Sequence, residues 1–222
     1  RRPHFCMYTW TRVAHMETVA IIPAAGSGTR LGLETPKAFV PLGGRTLLEH
    51  AVAGVFNAGI ELVVIAVPRD LKARALDMFR TQPNVQTVIG GTERTESVRN
   101  ALATIDGKPT YALVHDAARP LTPRRVFDRV LTALRAGHRN VVPVLPVSDT
   151  VRTLTSQQPE EVAPLGAPVE RARLRAVQTP QGFTFDDLVA AHDRFARDTS
   201  TQMTDDASLL ETLGIPSVGV EG

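Results

Sequence analysis

From Val19 onward the chain alternates short β-branched runs with stretches whose apolar residues recur at helical spacing, and this alternation restricts the fold more than any other feature. Repeated strand and helix units build a mostly parallel sheet with helices on both faces, because each crossover helix must bury its apolar stripe against the sheet. The first unit comprises a strand from Val19 to Pro23, a glycine-rich loop, and a helix near Thr46 to Ala58. In that helix Leu47, Leu48, Ala51, Val52 and Val55 share one face. Further strands are predicted at Leu62 to Val67, Val85 to Ile89, Tyr111 to His115 and Val141 to Leu145. Helices are predicted at Leu71 to Phe79, Glu93 to Leu102 and Pro123 to Ala136.

Past Leu145 the pattern changes. Residues 147–175 alternate polar and apolar side chains, include Pro159, Pro164 and Pro168, and lack helical periodicity, which predicts an extended, β-rich arm. Such an arm has little core of its own and is suited to packing on a second subunit. Helices at Phe185 to Arg197 and Asp205 to Leu213 return to the main body. Residues 1–15 show no clear periodicity and read as a flexible N-terminal extension, which leaves residues 16–222 as a single α/β, Rossmann-like domain. The 25 basic and 23 acidic side chains nearly cancel and are interspersed, so nothing marks a nucleic-acid groove or a membrane surface. No apolar run approaches the roughly 18 residues needed to cross a bilayer. The lone cysteine, Cys6, cannot form an internal disulfide, and a reducing cytoplasmic setting is expected.

The segment Pro23-Ala24-Ala25-Gly26-Ser27-Gly28-Thr29-Arg30-Leu31-Gly32 leaves the first strand with small residues wherever backbone must approach a ligand, so its amides can face phosphate oxygens. Two familiar phosphate loops fail on spacing. The Walker pattern needs a terminal Gly-Lys-Ser/Thr, and the dinucleotide fingerprint needs a third glycine where Leu31 stands. The loop instead carries Arg30 and, in Thr35-Pro36-Lys37, a lysine held by a φ-restricted proline. Attack on an α-phosphorus concentrates charge on its non-bridging oxygens, and two fixed cations there lower the barrier by preorganised electrostatics. At the end of the fourth strand, where ligands of parallel sheets collect, lies Asp116, a carboxylate able to position a magnesium ion directly or through water. His115 precedes it, and strand alternation aims that ring to the opposite face. These residues point to an enzyme transferring a nucleotidyl group from a nucleoside triphosphate to a phosphorylated alcohol.

Taken together, Ala24-Ala25-Gly26-x-Gly28-x-Arg30, Pro36-Lys37, Gly90-Gly91-x-x-Arg94-x-x-Ser97, His115-Asp116-Ala117-Ala118-Arg119, Asp149-Thr150, Thr179-Pro180-Gln181 and Thr204-Asp205 resemble, in order from about Val19 to Gly222, the 2-C-methyl-D-erythritol 4-phosphate cytidylyltransferases. The resemblance implies a nucleotidyltransferase-type fold and transfer of CMP from CTP to 2-C-methyl-D-erythritol 4-phosphate. The products would be 4-diphosphocytidyl-2-C-methyl-D-erythritol and pyrophosphate, in the non-mevalonate isoprenoid pathway, with magnesium. It gives Arg30 and Lys37 the CTP α-phosphate. It places Ala24, Ala25, Gly91 and Ser97 around the cytosine, with Gly26 and Gly28 in the nucleotide loop and Asp116 and Ala117 at the ribose and metal. It implies a homodimer in which Thr150, Arg171 and Thr179 reach into the partner's pocket beside Asp116 and Arg119, and it adds Thr204 to the acceptor site.

The chain departs from the family pattern in two places. Thr92 stands where some members carry an acid after the glycine pair. Members usually continue past Val220-Glu221-Gly222 through a strand bearing Lys-x-Thr and a closing helix, so a third substrate-site cation is expected to be missing here. Two alternatives keep the chemistry and change the acceptor: a ribitol 5-phosphate cytidylyltransferase and a sugar-1-phosphate nucleotidyltransferase. A third, of another class, is a non-catalytic nucleotide-binding protein.

Overall fold

The computed structural model describes residues 16–26, 35–155, 162–196 and 205–222. In chain order its elements are β1 (Thr18–Pro23), β2 (Pro41–Leu42), β3 (Arg45–Thr46), α1 (Leu47–Asn57), β4 (Leu62–Val67), α2 (Lys72–Met78), β5 (Val85–Ile89), α3 (Arg94–Leu102), β6 (Tyr111–Val114), α4 (Arg124–Arg135), β7 (Asn140–Pro146), β8 (Arg152–Leu154), β9 (Leu165–Pro168), β10 (Arg175–Val177), β11 (Gln181–Thr184), α5 (Phe185–Phe195), α6 (Asp206–Glu211) and β12 (Val218–Glu221). Single 3-10 turns lie at Lys37–Phe39, Arg69–Leu71 and Arg171–Arg173.

The main sheet runs β5-β4-β1-β6-β11-β7, with β10 and β12 also paired to β7. Strand β1 is parallel to β4 and β6, β4 to β5, and β7 to β12. The pairings of β11 with β6 and β7, and of β10 with β7, are antiparallel. The chain therefore leaves β1 toward β4 and β5 on one side and returns on its other side with β6. That reversal opens a crevice at the carboxyl ends of the strands.

Strand alternation sorts the core into two layers. Ala20 and Ile22 of β1, with Val63 and Ile65 of β4, pack with Leu48, Val52 and Val55 of α1 and Phe127 and Val130 of α4. Val19, Ile21 and Val64 face the other way, onto Val98 of α3, Leu188 of α5 and Leu209 of α6. Helices thus cover both faces of an α/β sheet, as the periodicity requires. Helix α1 starts where a capping box allows it. The Thr46 hydroxyl accepts from Glu49 N at 3.2 Å, and the Glu49 carboxylate accepts from Thr46 N at 2.7 Å.

The sequence did not predict β2 and β3, which pair with each other, nor β10, β11 and β12 of the main sheet. Strand β11 enters antiparallel between β6 and β7, and β12 adds parallel to β7. Gly182 hides β11 from sequence patterning, and packing explains the glycine. A Cβ there would lie 2.4 Å from Val130 Cγ1 and 2.9 Å from Leu134 Cδ1, both on α4. In the arm, β8 and β9 pair with each other and, among the described residues, with no other strand.

Candidate active site

Three loops converge at the crevice. The first leaves β1, where Ala24 N donates to Ala66 O at 2.7 Å and so continues the β1–β4 pairing into the loop. The second leaves β5, where Gly90 N donates to Val67 O at 2.9 Å. A Cβ on Gly90 would lie 2.4 Å from Ala25 Cβ and 2.8 Å from Ser97 Oγ, so glycine is what lets the first loop, the second loop and α3 touch. The Ser97 hydroxyl, 2 % exposed, accepts from Gly91 N at 3.1 Å and donates to Glu93 O at 3.1 Å, which sets the glycine pair against the start of α3. Ala25, Gly91 and Ser97, far apart in sequence, are thus neighbours. At position 92 the Thr92 amide donates to Glu96 Oε2 at 2.8 Å and its hydroxyl donates to the same oxygen at 3.1 Å.

The third loop follows β6 and carries Asp116. Its carboxylate, one-third exposed, lies between two guanidinium groups: Arg94 Nη2 is 3.5 Å from Oδ1 and Arg119 Nε is 3.6 Å from Oδ2. Arg119 also donates to Gln178 Oε1 and, at 3.4 Å, to Val177 O. Ala117 is buried beside this turn. Asp116 N donates to Thr179 Oγ1 at 3.1 Å, and the same oxygen is 3.0 Å from His115 Nδ1. His115 is 1 % exposed, and its ring meets Phe127 of α4 edge to face. Burial is the main cause that pushes its pKa down to about 4, against the opposing pull of the Asp116 charge and the Arg119 backbone.

Lys37 opens the 3-10 turn Lys37–Phe39 and is half-buried, while Ala38 and Phe39 drop into the core and fix its backbone. Gly26 is exposed at the end of the described part of the β1 loop. Arg30, Gly28 and Thr204 lie outside the described residues.

The acceptor residues divide. Arg171 Nη1 donates to Ser148 O at 2.7 Å, which brings it near Thr150 on the arm. Both are exposed, and among the described residues no hydrogen bond or ion pair joins either to Asp116 or Arg119. Thr179 does not stand on the arm reaching toward a partner's pocket. It is 5 % exposed, between β10 and β11, with its hydroxyl committed to Asp116 and His115 of its own chain. The reason is the unexpected β11, which carries the Thr179 turn back under the β6 loop.

Residues 18–222 match the family model of the 2-C-methyl-D-erythritol 4-phosphate cytidylyltransferases. The chain belongs to that family. It is 47 % identical over 205 residues to the 2-C-methyl-D-erythritol 4-phosphate cytidylyltransferase of Nocardia farcinica, a match that covers 92 % of this chain and 84 % of that protein. A solved structure of a Thermus thermophilus protein of the same name superposes with a TM-score of 0.73 at 35 % identity, covering 93 % of this chain and 89 % of the other. The 4-diphosphocytidyl-2C-methyl-D-erythritol synthase structure from Anaerococcus prevotii gives 0.78 at 25 % identity, with 94 % and 90 % covered. Membership in this cytidylyltransferase family agrees with the loops already described, since a nucleotidyltransferase needs a base pocket of close backbone and a charged end for the phosphates.

Sequence reasoning gave no role to four residues that hold the site. Arg94 donates to Asp206 as well as approaching Asp116, and Asp206 is held in turn by His192. Gln181 ties β11 to α6, donating to Asp205 Oδ2 at 2.8 Å and accepting from Ala207 N at 3.3 Å. Arg94 sat in a quoted motif, but nothing local marks a partner 112 positions away. Asp205 caps α6 by accepting from Ser208 N at 3.1 Å.

Proposed function

We propose that this site transfers CMP from CTP to 2-C-methyl-D-erythritol 4-phosphate, releasing pyrophosphate and 4-diphosphocytidyl-2-C-methyl-D-erythritol for isoprenoid synthesis by the non-mevalonate route. The observation that carries the reading is the meeting of the Ala24–Gly26, Gly90–Gly91 and Asp116 loops at one sheet edge. In this reading Ala24, Ala25, Gly91 and Ser97 frame the cytosine, largely through backbone groups. Asp116 and Ala117 meet the ribose, and Arg30 and Lys37 face the α-phosphate. The acceptor phosphate oxygen attacks the α-phosphorus in line, a new P–O bond forms, and the bond to the β-phosphate oxygen breaks. An ionised phosphate is already nucleophilic, so no general base is required. Lys37 acts by holding positive charge where the transition state gathers negative charge.

Magnesium fits the donor set in one way. Asp116 is a single partly exposed carboxylate whose oxygens lie more than 3.4 Å from the flanking guanidinium nitrogens, which leaves lone pairs for a metal-bound water. A magnesium ion held mostly by substrate phosphates and water needs no more from the protein, and it would neutralise triphosphate charge. Thr150, Arg171, Arg119 and Thr204 belong, in the same reading, to an acceptor site completed in a cytoplasmic homodimer. Arg171 has the planar fork that suits a phosphate.

The test is pyrophosphate release with CTP, ATP, GTP or UTP and with 2-C-methyl-D-erythritol 4-phosphate or ribitol 5-phosphate as acceptor. Turnover with CTP and methylerythritol phosphate is expected, and turnover confined to ribitol 5-phosphate would overturn the acceptor. Lys37→Ala is expected to lower kcat about 10²- to 10³-fold while CTP binding weakens only modestly. Equal losses in binding and kcat/KM would remove Lys37 from the transition state.

A further inference from the structure

Arg94 is unused by the transfer step as described, yet its guanidinium lies between two carboxylates supplied by distant parts of the chain. One terminal nitrogen, Nη1, donates to Asp206 Oδ2, and the other, Nη2, approaches Asp116 Oδ1 at 3.5 Å. The two acids differ in surroundings. Asp206 is fully buried, and its second oxygen is 3.0 Å from Nε2 of the buried His192 on α5. Burial alone would raise the Asp206 pKa, but the Arg94 charge and the His192 hydrogen bond outweigh it and hold the carboxyl below its usual range. Asp116, by contrast, is one-third exposed. Arg94 is also the first residue of α3, directly after the loop of Gly90 and Gly91, and Asp206 is the first of α6. One guanidinium therefore connects the base loop, the Asp116 loop and α6.

We propose that Arg94 is a positioning residue for the transfer reaction: clamped by buried Asp206 on one side, it orients the Asp116 carboxylate toward the nucleotide on the other. The inference rests on Asp116 belonging to the CTP site. The planar fork matters, because its two terminal nitrogens point in divergent directions and serve two acids at once. A lysine ammonium is a point charge on a flexible stem and satisfies Asp206 without also holding Asp116. A guanidinium placed only to neutralise Asp206 would have no coupling to Asp116.

The experiment is a double-mutant cycle in the full-length protein with Arg94→Lys, Asp116→Ala and the combination. It is read as kcat/KM for CTP and, where turnover is lost, as the CTP dissociation constant. Wild-type pyrophosphate release with CTP is measured first, so that failure of the cytidylyltransferase reading is recognised separately; a wild type inactive with CTP removes both readings. Arg94→Lys is expected to keep its thermal midpoint and lose up to about a hundredfold in kcat/KM through misplacement of Asp116. In the Asp116→Ala background the same change should have almost no further effect. Independent, additive losses would mean that Arg94 does not act through Asp116, and an unchanged kcat/KM in Arg94→Lys would also overturn the proposal. If Arg94→Lys does not fold, Asp206→Asn takes its place in the cycle, with the same non-additivity expected and the same additive outcome against it.

Discussion

At the scale of single residues, the site is organised by which charged groups are buried and which are not. His115 and Asp206 are both nearly inaccessible, but burial leaves one neutral and the other charged. His115 has only hydroxyl and backbone neighbours on its hydrogen-bonding atoms and therefore gives up its proton. Asp206 has Arg94 and His192 and keeps its charge. The consequences for stability fall in different pH windows. The His115 pKa falls from 6.5 in the unfolded chain to about 4 in the fold, so between those values the unfolded state binds more protons and stability declines as pH drops. The full effect is about 3 kcal/mol. Asp206 contributes above its unfolded pKa of 3.8 and loses that contribution only as pH falls lower still. Urea unfolding at a series of pH values should therefore show a slope between pH 6.5 and 4. In His115→Asn, which keeps a hydrogen-bonding group near the Nδ1 position, that slope should largely disappear. An unchanged slope would mean that some other group is responsible. Lys37 and Asp116 could be singled out in the sequence because their marks are local, Thr35-Pro36 before the one and a strand end before the other. The Arg94–Asp206 pair was not, since it closes a contact between residues 112 apart.

At the scale of elements, the decisive contact is the close approach of the β1 loop, the β5 loop and α3. Its spacing is set at Gly90, where a methyl group would overlap Ala25 Cβ and Ser97 Oγ. Gly90→Ala is expected to destabilise the fold by about 1–3 kcal/mol through overpacking, and to weaken CTP binding because the backbone proposed to frame the base is pushed apart. Gly54→Ala is the matched control. Gly54 lies within α1, has nothing within 4 Å of the added methyl, and should gain about 0.5–1 kcal/mol. Denaturant melts and CTP titrations of both variants decide the matter, and Gly90→Ala behaving like Gly54→Ala would show that the loops tolerate separation. Apart from β2 and β3, the elements from β1 to β7 were readable to within a residue or two because their periodicities are local. Strands β11 and β12 were not, since each is four residues long and contains a glycine, and each is held by strands already in place.

At the scale of the whole molecule, the arm stands apart from the core. Among the described residues its β8 and β9 strands pair only with each other, and they place Leu154 opposite Leu165, 60 % and 58 % exposed. An isolated two-stranded ribbon with outward leucines is marginal in water, which supports the proposed dimer. Leu154→Asp with Leu165→Asp is expected to convert a dimer to a monomer by light scattering and to lower turnover with methylerythritol phosphate. A wild type that is monomeric at micromolar concentration would defeat the dimer. The sequence by itself determined the class of sheet, the helices on both faces, the loop of small residues with its cations and the family, because each is carried by periodicity or by residues adjacent in the chain. Only the tertiary structure decided that Thr179 lies buried beneath its own Asp116 and that Arg94 spans two acids. Those contacts depend on where β11 and α6 return to the sheet, and that is settled by packing against Gly182, α4 and the buried charge of Asp206, which no local pattern encodes.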